Sequence, residues 1–161
     1  MLQLEHKDKI KMIITDVDGV LTDGGVYVST HSEEQVKKLN FKDLMGMALA
    51  VRHGYKLGII SGEKNQIIDG IAARFSIEDV HQGIRIKLPV FQSILEKYSF
   101  SPEEVCYIGD DVNDLEVLKF VKTAITVPDA NFKVKETENI IVSNFCGGHG
   151  AFREVVDSLI Y

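Results

Sequence analysis

Short apolar, β-branched runs alternate along this chain with longer segments of helical period, and few folds accept that order. Met12–Thr15, Lys56–Ile60, Val105–Ile108 and Ala124–Val127 read as buried strands. A short strand is expected near Val80 and a weak one at Ile140–Val142. Between them, Leu44–His53, Gln66–Phe75, Leu88–Tyr98, Asp114–Phe120 and Ala151–Ile160 read as helices. Gly54 supplies a C-cap to the first of these. Ile67, Ile68 and Ile71 fall on one face of the second, and Pro89 is tolerated in the opening turn of the third. Ser101-Pro102-Glu103-Glu104 has the capping-box pattern, but Val105–Ile108 follows too soon for anything longer than a turn. Val26–Ser29 and Gln35–Phe41 predict the arms of a hairpin around Thr30–Glu34. Repeated β-then-α units predict an α/β fold with a mostly parallel sheet and helices on both faces. Ligands of such sheets sit beyond the carboxyl ends of the strands, so the residues just after each strand matter most.

The chain has 161 residues, 45% of them apolar, enough for one well-filled core; residues 1–161 are expected to form a single domain. A net charge of −6 argues against a nucleic-acid partner, which requires a basic face. No run approaches the ~20 apolar residues of a membrane span. Met1–Lys11 lacks the apolar centre of a secretory signal. Cys106 and Cys146 have no zinc-type spacing and suit a reducing cytoplasm as plain thiols.

Three predicted strand ends carry chemistry. Asp16-Val17-Asp18-Gly19 follows the first strand, Ser61-Gly62 follows Ile60, and Gly109-Asp110-Asp111-Val112-Asn113-Asp114 follows Ile108. Lys87 stands at the predicted start of a helix. Each piece alone is an ordinary turn or surface residue. Their ordered combination, on one sheet edge, is not. Asp16, Asp18, Asp110 and Asp111 would repel one another there unless a cation joined them. Oxygen-only ligands suit a hard ion such as Mg2+, which also lets an anionic nucleophile approach a phosphate. Asp16 and Asp18 lie two apart, so extended backbone turns both toward one cleft. Asp16 then attacks phosphorus, while Asp18 first protonates the leaving oxygen and later deprotonates water. Ser61 bonds the phosphoryl oxygens, and Lys87 supplies positive charge to the group in flight.

These residues resemble the haloacid dehalogenase superfamily: Asp16–Thr22 its first motif, Ser61 its second, Lys87 its third and Gly109–Asp114 its fourth. The resemblance implies a Rossmann-like fold, with Asp16 and Asp110 binding magnesium by side chain, Asp18 by its backbone carbonyl, and Asp111 supporting the metal shell. A narrower resemblance covers nearly the whole chain. Asp16–Gly25, the hairpin, Phe41-Lys42-Asp43, Gln82-Gly83 before Lys87, and Gly147–Glu154 are similar to the 3-deoxy-D-manno-octulosonate 8-phosphate phosphatase branch. That branch is capless, magnesium-dependent and tetrameric, and hydrolyses phosphorylated 2-keto-3-deoxy sugar acids on the way to lipopolysaccharide or sialic-acid-like sugars. Spacing agrees on the missing cap, since neither 17–60 nor 62–86 has room for a lid of about 50 residues. An open site then calls for a neighbouring subunit, with the hairpin as docking element and active sites at the interfaces of a homotetramer.

Two departures bear on the substrate. Many octulosonate-phosphate phosphatases have Arg after Ser-Gly, where this chain has Glu63, similar to the 2-keto-3-deoxynononate 9-phosphate phosphatases. Substrate contacts are expected at Gly62, Glu63, Asp43 and Arg74. The sequence also stops at Tyr161, short of the C-terminal tail of some members. His6, His31, His53, His81 and His149 show no metal-ligand spacing, and His149 is expected in a glycine-rich turn. The reading is a magnesium-dependent phosphatase of 3-deoxy-D-manno-octulosonate 8-phosphate, with the nine-carbon (or N-acylneuraminate) 9-phosphate as alternative. A catalytically silent oligomerisation module is the alternative of another class, and intact Asp16, Asp18, Lys87 and Asp110 weigh against it.

Overall fold

The computed structural model describes residues 1–31 and 35–161. The strands are β1 (Met12–Thr15), β2 (Tyr27–Val28), β3 (Gln35–Val36), β4 (Lys56–Ile60), β5 (Asp79–His81), β6 (Val105–Ile108), β7 (Thr123–Thr126) and β8 (Ile140–Val142). The helices are α1 (Phe41–Arg52), α2 (Gln66–Phe75), α3 (Lys87–Tyr98), α4 (Leu115–Phe120), α5 (Phe132–Lys135) and α6 (Ala151–Ile160). Six strands form one sheet in the order β5-β4-β1-β6-β7-β8, every pairing parallel, while β2 and β3 pair antiparallel. The architecture is the expected Rossmann-like one.

Side chains alternate across the sheet with period two, and both faces are covered. Ile13, Ile59, Cys106 and Ile108 pack with Met47 of α1, Ile68 and Ile71 of α2, and Phe152 and Val155 of α6. Met12, Ile14, Val105 and Tyr107 face the other way, against Phe91 and Ile94 of α3, Val117 of α4 and Val134 of α5. Burial on both sides explains why these strands read as continuous apolar runs. It also pushes the Cys106 thiol above its ordinary pKa, in keeping with a structural role.

Some boundaries differ from those expected. Helix α1 starts at Phe41 rather than Leu44, because the Asn40 side chain accepts from the Lys42 N–H and caps it. The second hairpin arm therefore ends at Val36 and does not continue to Phe41. The expected hairpin tip, Thr30–Glu34, includes residues 32–34, which lie outside the described residues. Helix α5 was not expected at all; four residues are too few to show a period, although Asn131 caps it through the Lys133 N–H.

Helix α6 is anchored from a distance. The buried Asp43 carboxylate, in the first turn of α1, accepts from the Gly150 N–H at 3.1 Å and the Arg153 N–H at 3.0 Å. Burial raises its pKa, and the backbone donors of α6 oppose that rise. Asp43 is thus an N-terminal cap supplied by another helix. Asp43→Ala should lower unfolding stability by about 1–2 kcal/mol, read from urea melts followed by circular dichroism.

Candidate active site

The end of β1 places Asp16 at the carboxyl edge of the sheet. Its N–H donates to the Ile108 carbonyl of β6 at 2.9 Å, continuing the ladder by one residue. The chain then leaves extended geometry, and the N–H groups of Val20, Leu21 and Thr22 turn back onto the Val17 carbonyl. Asp16 and Asp18 nevertheless border the same cleft, of about 280 Å3. Asp16 Oδ1 accepts from the Val17 N–H at 2.7 Å, which fixes the carboxylate plane.

Lys87 opens α3 and is fully buried. Its Nζ lies 3.0 Å from Asp16 Oδ2 and 2.7 Å from Asp114 Oδ1. Burial opposes the charge on Lys87, but the two carboxylates outweigh it and hold the pKa above the ordinary lysine value. Asp114 also takes the Tyr107 hydroxyl at 2.6 Å, while its Oδ2 accepts the N–H groups of Asp110 and Asp111 at 3.2 Å each. One buried carboxylate therefore shapes the whole turn after β6. Gly109 is required in that turn, since a Cβ there would fall 2.5 Å from Asp114 Cγ.

Carboxylate oxygens of Asp16, Asp110 and Asp114 lie within 4.8 Å of one another. Burial raises the Asp16 pKa, Asp114 adds to the rise, and Lys87 counters it. Burial, with the charges of Asp16, Asp114 and Asp111, pushes Asp110 up to about 8. Asp110 Oδ1 is buried without a hydrogen-bond partner, and so is Oδ1 of Asn113 beside the same cleft. A hard divalent cation fits this donor set: it would supply the missing partner of Asp110 and offset the excess negative charge. Asp114, not among the expected ligands, adds its carboxylate to the cluster; the Asp18 carboxylate pairs with Lys37 Nζ at 2.6 Å and Asp111 Oδ1 accepts from the Val112 N–H.

Ser61, buried at the end of β4, donates its N–H to the His81 carbonyl, and its hydroxyl accepts from the Glu63 N–H at 3.3 Å. Gly62 and Glu63 border the cleft beside it. Two expected substrate contacts are not brought there. Asp43 is committed to α6, and exposed Arg74 lies over the Phe75 ring, 5.5 Å from its centroid. Arg85 does border the cleft, and sequence reasoning missed it, because a lone Arg in an irregular segment carries no pattern.

The glycine-rich segment braces the nucleophile loop from behind. A Cβ on Gly147 would lie 1.9 Å from the Gly19 carbonyl oxygen, and the Gly148 N–H donates to Val20 at 2.8 Å. His149 Nδ1 pairs with the Gly147 carbonyl at 2.7 Å, a turn role as expected. Gly19 itself has φ +86°, and a Cβ there would overlap the Asp110 carboxylate at 2.1 Å. Gly19→Ala should therefore weaken magnesium binding by about tenfold or more, measured by calorimetry, by pushing Asp110 out of the acidic cluster.

A parallel sheet with an aspartate after its first strand, a buried lysine facing it and an acidic turn after the neighbouring strand defines a hydrolase of phosphoryl-transfer type. The chain belongs to the haloacid dehalogenase-like hydrolases, whose family model matches residues 63–149. The 3-deoxy-D-manno-octulosonate 8-phosphate phosphatase of Salmonella typhi is 36% identical over 153 residues, spanning 95% of this chain and 80% of that protein. Its Yersinia pestis counterpart is 31% identical over 157 residues, covering 98% and 83%. Among solved structures, the Moraxella catarrhalis phosphatase of that name, in complex with magnesium, phosphate and KDO, superposes with a TM-score of 0.91 at 27% identity. The match covers 97% of this chain and 88% of that one. A cobalt-bound form of the Haemophilus influenzae enzyme gives 0.88 at 30% identity, covering 97% and 90%.

Proposed function

We propose that this chain is a magnesium-dependent phosphomonoesterase acting on a 2-keto-3-deoxy sugar acid phosphate, with 3-deoxy-D-manno-octulosonate 8-phosphate as its substrate. The observation that carries the reading is the cluster of Asp16, Asp110 and Asp114 carboxylates beside an open cleft, with buried Lys87 joining Asp16 to Asp114. Likeness to the Salmonella typhi and Moraxella catarrhalis enzymes supports the choice of sugar acid.

Asp16 and Asp110, with the Asp18 carbonyl, would hold the ion, Asp114 stands behind them, and Asp111 borders the group. Bound magnesium supplies charge neutralisation for the phosphoryl oxygens. The remaining chemistry belongs to the side chains. An Asp16 carboxylate oxygen bonds to phosphorus as the phosphorus–sugar oxygen bond breaks, and Asp18 gives its proton to the departing oxygen. Asp18 then removes a proton from water, which attacks phosphorus and releases Asp16. Ser61 and the amides beside Gly62 bond the phosphoryl oxygens, and Lys87 balances the charge that builds on them. Lys37, 2.6 Å from Asp18, keeps that carboxylate at the mouth of the cleft.

Glu63 on the cleft wall favours a second reading, the nine-carbon keto acid phosphate, because a carboxylate accepts hydrogen bonds from additional sugar hydroxyls. Residues 1–161 act as one cytoplasmic catalytic domain in this reading. A homotetramer closes the open sites at its subunit interfaces. The hairpin supports that arrangement, for Tyr27, Val28 and Val36 are 71%, 68% and 61% exposed. Among the described residues, no helix is long and apolar enough to cross a membrane.

Asp16→Asn should reduce kcat on 3-deoxy-D-manno-octulosonate 8-phosphate by about a thousandfold or more in a phosphate-release assay. Chelation with EDTA should abolish turnover and added magnesium restore it; metal-independent hydrolysis would refute the proposed site. Faster hydrolysis of the nine-carbon than of the eight-carbon substrate would decide for the second reading.

A further inference from the structure

The cleft is lined by acids, yet its substrate in the reading above is itself a polyanion. Asp16, Asp18, Glu63, Asp110 and Asp111 all border it, against a single cationic side chain, Arg85. Two nearby cations are already paired. Lys87 is buried between Asp16 and Asp114, and Lys37 holds Asp18. Among the described residues, Arg85 has no hydrogen-bond or ion-pair partner, so its guanidinium is available to a ligand.

Its backbone, by contrast, is held on both sides. The Gly83 N–H donates to the Glu63 carbonyl at 3.3 Å and the Ile84 N–H to the Ser61 carbonyl at 3.0 Å. Two residues later Lys87 is locked by its carboxylates. Ile86, between them, is extended at φ −109°, ψ 100° and turns outward, 68% exposed. Side chains flanking an extended residue leave on the same side, so Arg85 stands over the mouth of the cleft whose floor Lys87 supports.

We propose that Arg85 binds the carboxylate of the substrate and so selects phosphorylated sugar acids over other phosphate monoesters. The inference rests on the phosphatase reading above. With the phosphoryl group on the floor beside Asp16 and Lys87, the acid group lies toward the cleft mouth. There the charge of Glu63 repels it from one wall. A guanidinium offers two parallel N–H donors in one plane, which matches a carboxylate and cannot be replaced by a point charge at equal strength. Arg85 is a specificity residue; it takes no part in the bond-making steps.

The test compares wild type, Arg85→Ala and Arg85→Lys on 3-deoxy-D-manno-octulosonate 8-phosphate and on p-nitrophenyl phosphate, which has no carboxylate. Arg85→Ala should lower kcat/KM on the sugar acid by about tenfold or more, chiefly through KM, and change the nitrophenyl ester less than about twofold. Arg85→Lys should recover part of the loss. An equal fall on both esters would place Arg85 at the phosphoryl group, and no change on either would remove it from recognition; both overturn the proposal. The wild-type comparison is read first. If the wild type does not prefer the sugar acid, the substrate reading has failed and this proposal fails with it. A preserved preference in Arg85→Ala defeats the proposal alone.

Discussion

A single buried ammonium, that of Lys87, stands between Asp16 and Asp114, with the carboxylate of Asp110 close by and one of its oxygens unpaired. Three acids facing one base in a low-dielectric setting leave an excess of negative charge that burial makes costly. Removing the lysine would strand two carboxylates inside the protein. Adding a divalent cation corrects the imbalance from the solvent side. The lysine is therefore both a structural counter-ion and the inner wall of the site, and the open cleft is where the remaining charge can be met.

The sheet makes that concentration of charge tolerable. β1 is flanked by β4 and β6, with Thr15 level with Ile59 and Ile108, so Asp16, Ser61 and Gly109 emerge at one edge of the sheet within a residue of one another. Both faces of these strands are sealed by helices, and water reaches the acids from the carboxyl end. Asp114 converts the position of β6 into the shape of the next turn by taking the Tyr107 hydroxyl and two backbone N–H groups at once. On the far side, Gly147 and Gly148 press backbone against backbone behind Gly19, where any side chain would displace the loop.

Much of this was legible in the residues, and what was not has identifiable causes. Strands buried on both faces announce themselves as unbroken apolar runs, and Asp16, Ser61 and Asp110 stand directly after them. The hairpin arms were overextended because Lys37–Asn40 has no turn signal strong enough to mark the start of α1. Asp43 and Arg74 lie away from this chain's own cleft, and for Asp43 the reason is visible. A carboxylate near a motif looks like a ligand contact until the N-terminus of a helix 107 residues away is found to occupy it. In the sequence Asp114 is only the end of a motif, since nothing local reveals that Tyr107 and Lys87 converge on it. Arg85 is invisible for the opposite reason: its placement depends on hydrogen bonds from the neighbouring residues, Gly83 and Ile84, to the loop after β4.

The contact between Gly147 and Gly19 also bears on how the molecule is made. It joins residues 128 positions apart, and the pairing of β1 with β6 joins residues 93 apart, as Met12 with Val105. Contacts of such sequence separation form late and slowly. The nucleophile loop therefore reaches its final shape only once the glycine-rich segment has docked behind it.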